Sequence, residues 1–180
     1  MKKKISKIIF QIIGWKITGQ NYFPKKCVVI AAPHTSNWDF FIGKLYGNII
    51  GLRANYLIKS SFFIPILSFF IRKNGGIPVY RDKNYNLVEQ VVNKIKKQSE
   101  FVLALSPEGT RSRVKKWKTG FYYIALEANI EIVLVGLDFN KKEIGTITSF
   151  KPSGNIEEDM TFIRNKFKHL EGKIPSNFCP

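Results

Sequence analysis

Short apolar runs alternate with segments of helical periodicity from residue 27 onward, and no other feature of the chain limits its fold as strongly. The runs are rich in β-branched residues and too short for helices, which is typical of strands buried on both faces. The intervening segments repeat apolar residues at helical spacing, as in Val88, Val91, Val92 and Ile95. Strands are predicted at 27–32, 56–58, 77–80, 101–105, 132–139 and 144–150, and helices at 39–50, 87–97, 120–129 and 156–169.

This alternation predicts an α/β fold, with a mainly parallel sheet flanked by helices. The length of 180 residues suits one domain of this kind. The apolar segment 62–71 does not fit the alternation, because it contains four phenylalanines and is interrupted by Pro65. It is too short to cross a bilayer, which takes about 20 residues. Two interpretations stay open for it: a part of the core, or a surface immersed shallowly in a membrane.

A basic amphipathic helix is predicted to precede the α/β fold. Residues 1–26 contain seven lysines and no acidic residue. Five isoleucines of this segment share one stripe of a helix, with lysines opposite: Ile5, Ile8, Ile9, Ile12 and Ile13. Such a helix either lies in the interface of an anionic membrane or packs its stripe on the domain, and the pattern favours neither.

The charge of the whole chain indicates a polyanionic partner. The 29 basic and 13 acidic residues give a formal net charge of +16, which suits a nucleic acid or an anionic membrane surface. The sequence carries no helix-turn-helix, zinc-finger or RNP-type motif, so we expect no nucleic acid partner, and a basic nucleic-acid-binding module is only a distant alternative. Cys27 and Cys179 have no metal-ligand spacing, and no metal or cofactor is expected.

Three polar clusters follow predicted strands, where the loops of a parallel sheet form a crevice. The first, 33–39, contains His34 and Asp39. A carboxylate bonded to Nδ1–H would leave Nε2 free as a base, but the pattern is short, and a purely structural histidine is the more common case for this spacing. The second, 75–81, ends in Arg81. The third, 106–113, contains Glu108, Gly109, Thr110 and Arg111.

Together the segments His34–Asp39, Gly76–Arg81 and Pro107–Ser112 resemble, in order and spacing, the motifs of the glycerolipid acyltransferase family. The resemblance extends over about residues 22–140 and includes Lys59 and Pro65. It departs from the family pattern at Pro78 and Tyr80, where an apolar pair is usual.

The resemblance implies a catalytic pair, in which His34 is the base and Asp39 its partner. It implies a substrate site formed by Lys59, Arg81, Glu108, Gly109, Thr110 and Arg111, with the arginines on a phosphate. Backbone amides of these loops are expected to stabilise the oxyanion. Residues 1–20 would then be a membrane-interface helix and residues 21–180 an acyltransferase catalytic domain.

The reaction implied is the transfer of a fatty acyl group from acyl-CoA or acyl carrier protein to the hydroxyl of a lyso-glycerolipid, first of all 1-acylglycerol-3-phosphate, in membrane phospholipid synthesis. The expected location is the cytoplasmic face of the cell membrane, with peripheral attachment to its anionic surface. Acylation of a phosphate-free lyso-lipid, such as a lyso-aminolipid, stays open as an alternative.

Overall fold

A computed structural model describes residues 2–79 and 86–180 and shows a sheet with helices on both faces. In this part of the chain the sheet has seven strands: β1 (Lys16–Thr18), β2 (Lys26–Ala32), β3 (Ala54–Lys59), β4 (Gly76–Val79), β5 (Phe101–Leu105), β6 (Glu131–Asp138) and β7 (Glu143–Phe150). The helices are α1 (Lys2–Ile12), α2 (Asn37–Ile50), α3 (Pro65–Lys73), α4 (Leu87–Lys97), α5 (Gly120–Ala128) and α6 (Ile156–Phe167). Short 3₁₀ turns lie at Ser60–Phe62 and Pro175–Asn177.

The strand order is β1-β7-β6-β2-β5-β3-β4, and every described pair is parallel except β6 with β7. The prediction of an α/β fold with a mainly parallel sheet is therefore confirmed. Strand β2 lies centrally between β5 and β6, so the loop after β2 opens beside the ends of both neighbours. This position sets the place of the candidate site.

Side chains alternate between two cores on the two faces of the sheet. From β2, Val28 and Ile30 enter a core formed with α4, α5 and α6, whereas Cys27 and Val29 enter a second core under α1 and α2. All four residues are buried. A strand packed on both faces has no polar side, which explains the continuous apolar run in the sequence.

Helix α1 packs on the domain along one edge only. Phe10 is 3% exposed in the core under α2, and Ser6 Oγ accepts a hydrogen bond from Asn48 Nδ2 at 3.1 Å. Three isoleucines of the stripe nevertheless face outward, with exposed fractions of 51% to 78%: Ile5, Ile8 and Ile12. The helix is thus packed along one edge and apolar on its free side.

Helix α3 contains most of the apolar segment 62–71, for which the sequence left two interpretations open. Pro65 stands at the first turn, where its missing N–H costs nothing. The helix buries none of its residues in the described part of the chain, so the segment is not core. None of the helices described is long and apolar enough to span a bilayer.

Candidate active site

The loop 33–36, which follows β2, holds a histidine and an aspartate together at the start of α2. Ser36 caps the helix: its Oγ accepts from the Trp38 N–H at 3.1 Å, and Asp39 accepts from the Ser36 N–H at 2.8 Å. This reciprocal capping box satisfies amides that the start of a helix leaves unpaired. Asp39 therefore directs its carboxylate back at the loop, toward His34.

The buried Asp39 carboxylate accepts four hydrogen bonds. Its Oδ2 accepts from His34 Nδ1 at 3.0 Å and from the amides of Thr35 and Ser36 at 2.6 and 2.8 Å, and its Oδ1 accepts from Ser36 Oγ at 3.1 Å. Because a carboxylate only accepts, Nδ1 carries the proton and Nε2 is left as an acceptor. The His34 side chain is 28% exposed, so the ring is fixed but reachable.

Glu108 lies behind the loop 33–36, inside the protein. It is 2% exposed, and its Oε1 accepts a hydrogen bond from the His34 N–H at 2.8 Å. Its Oε2 has no hydrogen-bond partner within residues 2–79 and 86–180. Burial raises the pKa of Glu108 to about 7, even though the His34 amide favours the charged form. The structure thus places Glu108 against the backbone of the histidine.

The backbone amides of the loop 33–36 are already engaged. Those of Thr35 and Ser36 donate to Asp39, and that of His34 donates to Glu108. They are not free to bind a developing oxyanion, so the expectation that loop amides stabilise it does not hold for these three groups.

The segment around Gly109 lies beside this loop. Gly109 has φ +66°, a left-handed conformation that favours glycine, and the flexible end of the Lys118 side chain lies close beside it. Arg111 is exposed and donates from Nη1 to Asn37 Oδ1, which joins the third motif to the first. Thr110 is exposed and accepts from the Ser112 N–H at 3.3 Å.

Of the two remaining predicted substrate residues, the structure describes one. Lys59 is the last residue of β3, and it lines the same cavity as His34. Arg81 lies outside the described residues, as does Tyr80.

A cavity of about 920 Å³ extends from His34 between the helices and the sheet. Its wall is mainly apolar, with Val29 and Ala31 of β2 and Gly43 and Gly47 of α2 on one side. The cationic residues on its wall are Lys44, Lys59 and Lys118. The volume lies within the range of small-molecule sites, and the apolar wall suits an aliphatic chain.

Covalent catalysis by Cys27, the cysteine nearer to His34 in the sequence, is excluded by its position. Cys27 is completely buried in β2, and burial, with a smaller effect of Glu131, raises the pKa of its thiol to about 12. No thiolate is present there at neutral pH. Among the described residues, no group of three His, Cys, Asp or Glu side chains could hold a metal ion.

Several contributors to the site were not among the residues predicted from the sequence. Asn37, which holds Arg111, lies inside the first motif, and Lys118 belongs to a basic run that the sequence shows plainly. Thr35 Oγ1 accepts from the Ile174 N–H at 3.1 Å, so the segment after α6 packs on the loop. A backbone donor such as this carries no sequence signature.

Comparisons with known proteins agree with this geometry. Residues 14–138 match the sequence model of the acyltransferase family. A sequence search of curated proteins found no match. Among solved structures, the chain is similar to the crystal structure of the 1-acyl-sn-glycerophosphate (LPA) acyltransferase PlsC from Thermotoga maritima, with 17% identity and a TM-score of 0.66. The similarity covers 93% of this chain and 75% of that one.

Proposed function

This chain belongs to the acyltransferase family, and we propose that it transfers a fatty acyl group from acyl-CoA or acyl carrier protein to the hydroxyl of a lyso-glycerolipid. The proposed acceptor is 1-acylglycerol-3-phosphate, a lysophosphatidate, which is also the acceptor named for the similar Thermotoga maritima enzyme. One observation carries the proposal: a histidine held by a buried carboxylate at 3.0 Å on the wall of a large apolar cavity. A base and an acyl-sized cavity are what this reaction needs.

The proposed reaction is a direct transfer. His34 Nε2 takes the proton of the acceptor hydroxyl as its oxygen attacks the thioester carbonyl carbon, and the collapse of the tetrahedral intermediate breaks the C–S bond. The thiolate leaves and recovers a proton from the imidazolium or from water. Because a thiol has a pKa near 8.5, this leaving group needs little acid assistance. Asp39 stabilises the imidazolium that forms.

The oxyanion of this intermediate needs a donor other than the three engaged loop amides. Ser106 follows the end of β5 and lines the cavity, and its buried Oγ has no hydrogen-bond partner in the described parts of the chain. We assign this hydroxyl to the oxyanion, which requires the side chain to turn so that its buried Oγ faces the cavity. Removing one such donor costs about 10²–10³ in kcat in well-studied hydrolases, so Ser106→Ala should lower kcat while KM changes little.

Recognition of the acceptor phosphate is assigned to the cations around His34. Arg111 is exposed and oriented by Asn37, and Lys59 lies on the cavity wall, as the family resemblance implies. Arg81, from the second motif, is assigned to the same phosphate by resemblance alone. A planar guanidinium can bind a phosphate through two parallel hydrogen bonds, which lysine cannot do.

The proposed location is the anionic, cytoplasmic face of the cell membrane. Ile5, Ile8 and Ile12 of α1 are exposed, and the segment 1–26 carries seven lysines without an acid. Each lysine near an anionic leaflet contributes about 1 kcal/mol, and the isoleucines add apolar area. Residues 1–20 are accordingly proposed as the membrane-interface element and residues 21–180 as the catalytic domain.

The experiment that tests the function is incubation of the purified protein with radiolabelled acyl-CoA or acyl carrier protein and a panel of lyso-lipids, followed by separation of the products. Transfer to 1-acylglycerol-3-phosphate is expected. Faster transfer to a phosphate-free lyso-lipid would overturn the phosphate assignment of Arg111, and no transfer to any acceptor would overturn the proposed function.

A further inference from the structure

Helix α3 and the turn before it present an apolar surface that the described parts of the chain leave exposed. The surface comprises Phe62, Ile64, Ile66, Leu67, Phe69 and Phe70, with exposed fractions of 41% to 81%; it is called the α3 surface below. A helix that connects two parallel strands normally buries one face on the sheet. Contiguous apolar area of this kind on a soluble domain marks a site of interaction.

The helix is nonetheless fixed in place by its last turn. A Cβ on Gly76 would lie 2.2 Å from Cγ2 of Ile71, so the start of β4 and the end of α3 are in close contact. Only glycine allows this approach. The exposed phenylalanines therefore belong to a helix whose C-terminal end packs closely on the start of β4.

The α3 surface lies on the same face of the sheet as α1 and α2. Gly76 is paired with Tyr56 in the parallel register, so their Cα–Cβ directions point to the same face. The Tyr56 ring contacts Phe40 of α2, with a centroid distance of 5.6 Å, and Gly76 meets Ile71 of α3. The exposed isoleucines of α1 lie on this face as well, because α1 packs against α2.

The charge around the α3 surface selects one kind of partner. Residues 40–79 contain no acidic residue, and their cations are Lys44, Arg53, Lys59, Arg72 and Lys73. Arg72 and Lys73 close the helix, with their cationic groups 5.1 and 5.8 Å from the ring centroids of Phe63 and Phe69. Large apolar side chains with cations at the end of their helix match the interface of a bilayer that contains anionic lipid.

The α3 surface also adjoins the candidate active site. The 3₁₀ turn Ser60–Phe62 follows directly on Lys59, which lines the cavity with His34. Near His34 in the chain, Trp38 and Phe41 of α2 are 54% and 40% exposed and contact each other edge to face. Exposed aromatic side chains thus occur on α2 as well as beside Lys59.

We infer that the α3 surface inserts into the interface of an anionic bilayer and is a second membrane-contacting element, distinct from α1, placed beside the opening of the cavity. Its insertion brings Lys59 and His34 to the level of the headgroups, where a lyso-lipid can enter the cavity sideways. The identity of that lipid rests on the proposed function; the insertion itself does not.

The test compares two triple variants by flotation with vesicles of phosphatidylcholine and phosphatidylglycerol. The first is Ile66→Ser/Phe69→Ser/Phe70→Ser. The matched control is Tyr123→Ser/Leu126→Ser/Phe162→Ser, which alters exposed apolar residues of α5 and α6. We expect the α3 variant to lose roughly 30-fold or more in vesicle partitioning and the control to stay within about 2-fold of the unmodified chain.

Equal partitioning of the α3 variant and the unmodified chain would overturn the inference. So would a lipid-free dimer, measured by sedimentation, that the α3 variant converts to a monomer, because the surface would then belong to a contact between two copies.

A labelled chain keeps the test decisive if the triple variant does not fold. A nitroxide is attached to Phe69→Cys in a Cys179→Ser background, since Cys27 is buried and will not react. On vesicles, we expect the label to be accessible to oxygen and protected from a water-soluble nickel complex; accessibility to nickel as high as in buffer overturns the inference.

The failure of this inference and that of the proposed function are distinguishable. Acyl transfer to a short-chain lyso-lipid in solution without flotation would leave the function standing and refute insertion. Flotation that depends on the α3 surface, without transfer to any acceptor, would support insertion and refute the proposed function.

Discussion

Replacing Asp39 by asparagine should remove one charge from the site and leave its geometry intact. If Oδ1 of the amide takes the place of Oδ2, the bonds from His34 Nδ1 and from the amides of Thr35 and Ser36 all persist. The amide nitrogen then donates to Ser36 Oγ, whose hydroxyl changes from donor to acceptor. The substitution therefore tests the effect of the carboxylate's charge while its shape and hydrogen bonds are kept.

The magnitude follows from the burial of the pair. The Asp39 side chain is 4% exposed, and its partner becomes an imidazolium during the reaction. Opposite unit charges about 4 Å apart attract by about 4 kcal/mol at an effective dielectric constant of about 20. Loss of that attraction corresponds to about 10³ in rate. We expect kcat of Asp39→Asn to fall by about 10²–10⁴-fold, with KM for both substrates little changed.

The assay is steady-state transfer of a radiolabelled acyl group, with unfolding by urea as the test of structure. Ser36→Ala is the matched control, because it removes the helix cap but keeps the contact between His34 and Asp39. The control should lose about 1 kcal/mol of unfolding free energy and keep kcat within a few-fold. A folded Asp39→Asn protein with kcat within about 3-fold of the unmodified enzyme would refute the role of the charge.

Three further changes test other parts of the structure. Burial raises the pKa of Glu108 from 4.5 to about 7, so the native state binds its proton more tightly than the unfolded state and this group lowers stability as pH rises from about 4.5 to 7. In urea titrations, Glu108→Gln should therefore stabilise the protein more at pH 8 than at pH 5, and an equal effect at both pH values would contradict this. Arg111→Lys should raise KM for the lysophosphatidate acceptor about 10-fold and leave KM for the acyl donor unchanged, whereas a parallel rise in both would argue against a phosphate contact. On α1, Phe10→Ala should lower the unfolding free energy by about 3–5 kcal/mol, while Ile8→Ser should lower it by less than about 0.5 kcal/mol and weaken vesicle binding. A larger loss of unfolding free energy for Ile8→Ser than for Phe10→Ala would show that the packing is misassigned.

The parallel sheet was predictable because its signal is local in the sequence. A strand such as β2, buried on both faces, must be apolar throughout, and the helices that cover it must repeat every three to four residues. Strand β1 had no such signal: it has three residues, and Lys16 and Thr18 are exposed. It exists through its pairing with β7, where a Cβ on Gly145 would lie 1.8 Å from the Thr18 carbonyl oxygen.

The residues of the candidate site also divide into those that local sequence predicts and those that only the folded chain brings together. His34 and Asp39 are five residues apart across a helix start, so the capping geometry that brings them together follows from the local sequence. The contact of Glu108 with the His34 backbone joins residues 74 positions apart, and nothing in either motif specifies it. The resemblance to a family placed Glu108 at the site; only the folded chain shows which group it contacts.

Acyl transfer by a His34→Ala variant is the most direct test that this chain is an acyltransferase with a histidine base. The measurement is the rate of radiolabelled acyl transfer to 1-acylglycerol-3-phosphate, with the melting temperature as the measure of folding. General-base catalysis contributes about 10²–10⁴-fold, so we expect a loss of at least that size at an unchanged melting temperature. A folded His34→Ala protein that transfers the acyl group at nearly the unmodified rate would contradict the mechanism.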